Sequence, residues 1–243
     1  MKAVVLLSGG LDSTTLAYHL LDKYNIDEMI TLAFDYGQRH RKELYVARDT
    51  SRRLRADHHL IILDSTSSGT GAGSIGNVLS SALTDDSVPV PDGHYGEESM
   101  KQTVVPNRNA IMLSIAYGVA VARGAELVAF AAHSGDHTIY PDCRPGFVDV
   151  LNHALQLGNL WATPLPRIEG PFLYYSKANI VSAAARLNVP IEETWSCYKG
   201  GDIHCGTCGT CTERREAFEL AAVFDPTPYA DLTKHYTIPP TVS

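Results

Sequence analysis

The 243-residue sequence is short of several things. No apolar run approaches the roughly 20 residues that cross a bilayer, so no membrane association is expected. Positive charge is in deficit: 20 lysines and arginines stand against 27 aspartates and glutamates, a formal charge of −7. Such a surface does not suit a broad contact with phosphate backbones, and no nucleic-acid partner is expected. A nucleotide pocket is still open to it, because a few local cations suffice there. The apolar run after Lys2 covers only about five residues, with no small-residue cleavage pattern before Asp12, so it does not read as a secretory segment. A cytoplasmic location is the expectation. Cysteine is sparse, and four of the five crowd together at Cys197, Cys205, Cys208 and Cys211, leaving Cys143 alone. In a reducing compartment such crowding favours a metal over disulfides.

What is present is the patterning of an α/β protein. Apolar runs at 2–7, 29–36, 59–64 and 127–132 read as strands. Helical periodicity covers 12–24, with Leu16, Leu20 and Tyr24 on one face, and 40–54, with Leu44, Ala47, Ser51 and Leu54 inward. Further helices are expected over 109–123, 147–157, 176–187 and 212–223. Strands alternating with amphipathic helices imply a doubly wound, mostly parallel sheet. No internal repeat interrupts it. We expect one nucleotide-binding α/β domain over 1–195, and a four-cysteine segment and tail over 196–243 packed on that domain. Residues 65–105 break the rhythm with Ser, Gly, Pro and Asp, as a lid-like loop or a plain flexible insertion does. Gly71, Gly73 and Gly76 within it fit G-x-G-x-x-G. They do not open a helix directly after a strand, so a dinucleotide fingerprint is not inferred.

The first strand ends in Ser8-Gly9-Gly10-Leu11-Asp12-Ser13, a glycine turn leading into a helix. That is a position where open parallel sheets bind ligands. Glycines let backbone approach phosphate closely, and the helix N-terminus favours an anion. No lysine of the Walker type follows; the turn carries a carboxylate instead. Asp12 would repel phosphate directly but can hold a Mg²⁺ that bridges phosphates. Leu7, Ser8, Gly9, Gly10, Leu11, Asp12, Ser13, Thr14 and Thr15 are therefore the candidate pyrophosphate cradle. The plainer alternative is that Asp12 or Ser13 merely caps the helix.

The cluster Cys205-x2-Cys208-x2-Cys211, with Cys197 eight residues upstream, can close a tetrahedral Zn²⁺ site among tight glycine turns. With four thiolates there is no open position, so the one zinc per chain would be structural. An iron–sulfur cluster is the rival. His204 is a spare ligand, and Cys143 reads as a small buried residue. Elsewhere, Arg108 can reach a phosphate or carboxylate, while Asn107 or Asn109 can cap the helix that follows. Asp142 and Arg144 sit in a proline-marked loop after a strand, either lining a pocket or forming a surface pair. His133 and Asp136 share that strand-end region. Lys177 is a phosphate contact or a solvated charge.

In order along the chain, SGGLDSTT (8–15), FDYGQRHRKEL (34–44), VPNRN (105–109), YPDCRPGF (140–147), TPL (163–165), SKA (176–178) and the TWSC…HCGTCGTC segment form one pattern. The glycine turn resembles the PP-loop of the ATP pyrophosphatases, with their adenine nucleotide alpha hydrolase-like fold. The whole pattern resembles their 7-cyano-7-deazaguanine (preQ0) synthase family, of queuosine biosynthesis. The family often has glycine where Asn107 stands, and a different stretch where this chain has 130–139. The resemblance implies an ATP-dependent carbon–nitrogen ligase acting on 7-carboxy-7-deazaguanine and ammonia through adenylated carboxylate and amide, and a homodimer. It implies catalytic or phosphate-side roles for Asp12, Ser13, Lys177 and Arg108, and substrate-side roles for Arg108, Asn109, Asp136, Asp142 and Arg144. Two alternatives are another adenylating PP-loop enzyme, such as one acting on tRNA, and a zinc-ribbon binding module on an inactive nucleotide fold.

Overall fold

Successive side chains of a strand point to opposite faces, so the apolar run at 3–5 demands cover on both sides of its sheet. The computed structural model describes residues 1–63, 79, 81–94 and 98–232 and shows that cover. Five strands, β1 (Lys2–Leu6), β2 (Glu28–Asp35), β3 (Asp57–Ile62), β4 (Leu127–Ala129) and β5 (Arg167–Glu169), make one sheet in the order β3-β2-β1-β4-β5. All its pairings are parallel, with Val4 registered against Ile30 and Val128. The α-helices of the described residues are α1 (Leu11–Lys23), α2 (Lys42–Arg53), α3 (Arg108–Arg123), α4 (Pro145–Gly158), α5 (Lys177–Arg186) and α6 (Gly209–Leu220).

The two faces separate along β1. Val4 packs with Leu113 and Ala116 of α3 and Val148 of α4. Ala3 and Val5 pack with Leu16 and Leu20 of α1, Ala47 of α2 and Ile180 of α5. Val4 and Val5 are fully buried, each contributing on the order of 1.5–3 kcal/mol. The expected doubly wound parallel sheet is present. The expected elements form with ends shifted by a few residues; the strand expected to run to 132 stops at Ala129. β5 was not legible, being three residues at a sheet edge with only Ile168 buried.

The segment 65–105 is partly outside the described residues, and Gly71, Gly73 and Gly76 lie wholly there. Its described parts are anchored: Leu83 and Met100 sit in the α3-side core. The Arg39 guanidinium donates to the carbonyls of Asp85 at 2.5 Å and Val88 at 3.0 Å. β1 and β4 are neighbours, yet their chains continue in opposite directions from the sheet. At such a switch point the C-terminal strand ends leave a crevice.

Candidate active site

The turn after β1 forms one wall of that crevice. Leu7, Ser8, Gly10, Leu11, Asp12 and Ser13 all line it. Gly10 is the N-cap of α1, and no side chain caps the helix. The Ser13 hydroxyl is engaged instead with the Ser8 amide at 3.1 Å and the Ser8 hydroxyl at 3.0 Å. The capping alternative therefore does not describe this turn, and the first N–H groups of α1 are left for a ligand. Thr15 is turned inward, donating to the Leu11 carbonyl at 2.7 Å. Thr14 is fully buried, and its hydroxyl has no hydrogen-bond partner among the described residues.

The two glycines have different causes. Gly10 faces the crevice, as expected. Gly9 does not: it has φ +84°, and a Cβ there would stand 2.4 Å from the Glu43 carbonyl oxygen and 2.8 Å from the Ala47 amide. Its lack of a side chain lets α2 dock against the turn, a need separate from any approach of phosphate.

Opposite the turn, a knot of charge gathers from four separate segments. Lys177 Nζ lies 2.5 Å from Asp12 Oδ2 and 3.4 Å from Glu213 Oε2. His133 Nε2 lies 3.6 Å from Asp136 and 3.9 Å from both Asp12 and Glu213. Lys177 begins α5 behind a capping box of Ser176 and Asn179, which fixes its backbone. It is not a solvated charge. Burial works to lower its pKa, but Asp12 and Glu213 outweigh this and raise it. For Asp12, burial pushes upward while Lys177 and His133 pull the carboxyl below its ordinary value. Burial raises Glu213 despite Lys177 and His133. His133 Nδ1 accepts the Gly135 N–H at 3.1 Å, so the ring proton sits on Nε2, facing the three carboxylates.

Asp12 Oδ1 is buried and without a hydrogen-bond partner among the described residues. An orphaned carboxylate oxygen at the mouth of an anion cradle suits a hard divalent cation, so the turn fits Mg²⁺.

The far end of the crevice is built around Arg108. Its guanidinium lies 5.9 Å from the Tyr36 ring centre and 5.8 Å from that of Tyr140, and donates to the Tyr36 hydroxyl at 3.3 Å. Glu43 lines the same end, accepting from Gln38 at 3.0 Å, and burial lifts its carboxyl to about 8. His40 beside it is held neutral by burial, at about 3. Asn109 lines the crevice and donates to Cys143 Sγ at 3.1 Å. Neither asparagine caps α3 through its side chain. Asp142 does so from another loop, accepting the Asn109 N–H at 3.2 Å. Asn107 has φ +57°, left-handed backbone that glycine adopts freely and asparagine tolerates. Arg144 donates to the His137 carbonyl at 2.9 Å, so Asp142 and Arg144 are not a surface pair. Neither is among the crevice-lining residues.

Cys197, Cys205, Cys208 and Cys211 are free thiols, and their Sγ atoms all lie within 4.8 Å of one another. Cys205 and Cys211 are 3.8 Å apart, close to the roughly 3.8 Å edge of a tetrahedron with Zn–S near 2.3 Å. The donor set fits one closed metal site. His204 is not part of it, since its Nε2 accepts the Ser196 N–H at 3.0 Å and its ring packs on Trp195. Arg214, fully buried, ties the start of α6 to Thr194 at 2.8 Å and Ser196 at 3.1 Å. Cys143 is buried, and burial raises its thiol far above the ordinary range.

Sequence reasoning found the turn, Asp136, Lys177 and Arg108, and missed Glu43 and Glu213. Both are single acidic residues on amphipathic helices, and only the fold brings them to the crevice.

A 7-cyano-7-deazaguanine synthase of Ruegeria sp. (strain TM1040) is 56% identical over 95% of this chain and 94% of its own length. That of Agrobacterium fabrum (strain C58 / ATCC 33970) is 53% identical over 95% and 93%. The family described as "Queuosine biosynthesis protein QueC" matches residues 2–222. The match spans the turn, the charge knot and the cysteines, and the chain belongs to the QueC family of queuosine biosynthesis proteins.

Proposed function

We infer that this chain is an ATP-dependent ligase that converts 7-carboxy-7-deazaguanine and ammonia to 7-cyano-7-deazaguanine. The observation that carries the reading is near-full-length identity above 50% to relatives named 7-cyano-7-deazaguanine synthase. The uncapped turn after β1 supports the ATP requirement.

In this reading the α1 N-terminus and the hydroxyls of Ser8 and Ser13 receive the pyrophosphate portion of ATP. Lys177 leaves Asp12 for a phosphate oxygen and offsets the charge that develops there. Asp12 would hold Mg²⁺, which would supply positive charge against the phosphates. Arg108, with Tyr36 and Tyr140, orients the acceptor, and Asn109 and Asp136 border it. Asp142 and Arg144 act at one remove, Asp142 by fixing the start of α3. The substrate carboxylate attacks the α-phosphorus, pyrophosphate leaves, and ammonia displaces AMP to give the amide and a proton. The amide oxygen attacks a second α-phosphorus, pyrophosphate leaves again, and loss of AMP with both nitrogen-bound protons leaves the nitrile. Positioning and charge stabilisation dominate such chemistry.

The cysteine set holds one structural Zn²⁺ and braces the segment from 196 onward against the domain formed by 1–195. The family resemblance supports a homodimer, and five free cysteines suit the cytoplasm. Purified protein given 7-carboxy-7-deazaguanine, ammonia and Mg-ATP yields the nitrile by product mass. Mg-ATP turnover that needs tRNA and ignores the deazaguanine overturns the reading.

A further inference from the structure

Glu213 belongs to no phosphate motif, yet it completes the charge knot. It stands in the second turn of α6, two residues after Cys211, so the cysteine site and Arg214 determine where its backbone lies. Its side chain is 13% exposed, with one oxygen 3.4 Å from Lys177 Nζ and the other 3.9 Å from His133 Nε2. Gly135 makes room for this approach: a Cβ there would lie 2.9 Å from His133 Cε1 and 3.0 Å from Glu213 Oε1. The Gly135 N–H also fixes the His133 tautomer, which aims Nε2–H toward Glu213, Asp12 and Asp136.

Lys177 thus has two anions, and the nearer, Asp12 at 2.5 Å, belongs to the turn that receives the nucleotide. Paired with Asp12 alone, the ammonium would be captured by the carboxylate that the cradle needs for its cation. A second carboxylate opposes that capture and shortens the path from the resting pair to a phosphate contact. We propose that Glu213 is a positioning residue of the nucleotide site, holding Lys177 between Asp12 and the incoming phosphate and linking the cysteine-bound segment to ATP binding. The proposal rests on the ATP-dependent reading above, because it presupposes that phosphate reaches Lys177.

The test uses full-length Glu213→Gln. Mg-ATP affinity is measured by calorimetry, and Michaelis constants are measured separately for ATP and for 7-carboxy-7-deazaguanine. Zinc content and melting temperature serve as controls. The expected result is an ATP Kd and KM raised on the order of tenfold, with the deazaguanine KM within about twofold and zinc unchanged. Glu213→Asp, which keeps the charge, recovers part of the loss. Gly135→Ala, which crowds the same carboxylate, shifts ATP affinity in the same direction and supplies the test if the glutamine variant does not fold. Unchanged ATP affinity in folded, zinc-loaded Glu213→Gln overturns the proposal. So does a parallel rise in both Michaelis constants with a lowered melting temperature, the signature of a purely structural role. Calorimetry reads ATP binding without turnover. A wild-type protein that binds ATP but makes no nitrile therefore defeats the ligase reading while leaving Glu213 to be judged by affinity.

Discussion

Gly9→Ala is the sharpest test of how the nucleotide turn is built. Alanine in the left-handed conformation seen at φ +84° costs about 1–2 kcal/mol. The added Cβ would also sit 2.4 Å from the Glu43 carbonyl oxygen and 2.8 Å from the Ala47 amide. Both are backbone atoms of α2, so no rotamer change relieves the contact. α2 must move, and overpacking of this kind costs about 1–3 kcal/mol. The sum, roughly 2–5 kcal/mol, is a large share of the 5–15 kcal/mol typical of folded domains. With a urea m value near 3 kcal/mol/M, the unfolding midpoint drops by roughly 0.7–1.7 M at unchanged m. Urea unfolding followed by circular dichroism reads this directly. A Gly9→Ala protein within about 0.5 kcal/mol of wild type refutes the docking of α2 on Gly9.

Two further outcomes test other parts of the structure. Cys208→Ser opens the thiolate shell. We expect metal analysis to fall from one zinc per chain in the wild type to well below that, with loss of soluble protein; iron and sulfide in the wild type contradict the zinc assignment. Glu43 is lifted from 4.5 to about 8, so the folded chain keeps a proton there that the unfolded chain has lost. Its contribution to stability therefore falls as pH rises from about 4.5 to 8. Glu43→Gln removes that decline, gaining up to roughly 5 kcal/mol over wild type above pH 8 and little near pH 4. Equal differences in urea unfolding at pH 4.5 and pH 8.5 refute the buried, protonated carboxyl.

The parts of the site that could be read from sequence are those whose residues are contiguous. The turn at 8–13 announces itself because strand, glycines and helix start follow one another. The cysteines do so because their tight spacing suits ligation of a common metal. Distance in sequence hides how the remaining residues come together. Lys177, His133 and Glu213 are brought to Asp12 by the adjacency of β1 and β4 and by the packing of α5 and α6, which no local pattern encodes. Gly9 shows a subtler limit. The residue type is right for a phosphate turn, but the need it meets is a helix crossing, visible only once α2 is placed. Asp142 is similar: its pairing with the α3 terminus depends on a loop 33 residues away in the chain.

Oxygen labelling reads out whether carboxylate oxygen departs in AMP, the role proposed for the β1 turn. The protein is incubated with ammonia, Mg-ATP and 7-carboxy-7-deazaguanine carrying ¹⁸O in its carboxylate, and AMP is analysed by mass. One AMP is expected for each oxygen removed, two per nitrile, each carrying one ¹⁸O. Unlabelled AMP, or ADP with labelled phosphate, contradicts that role.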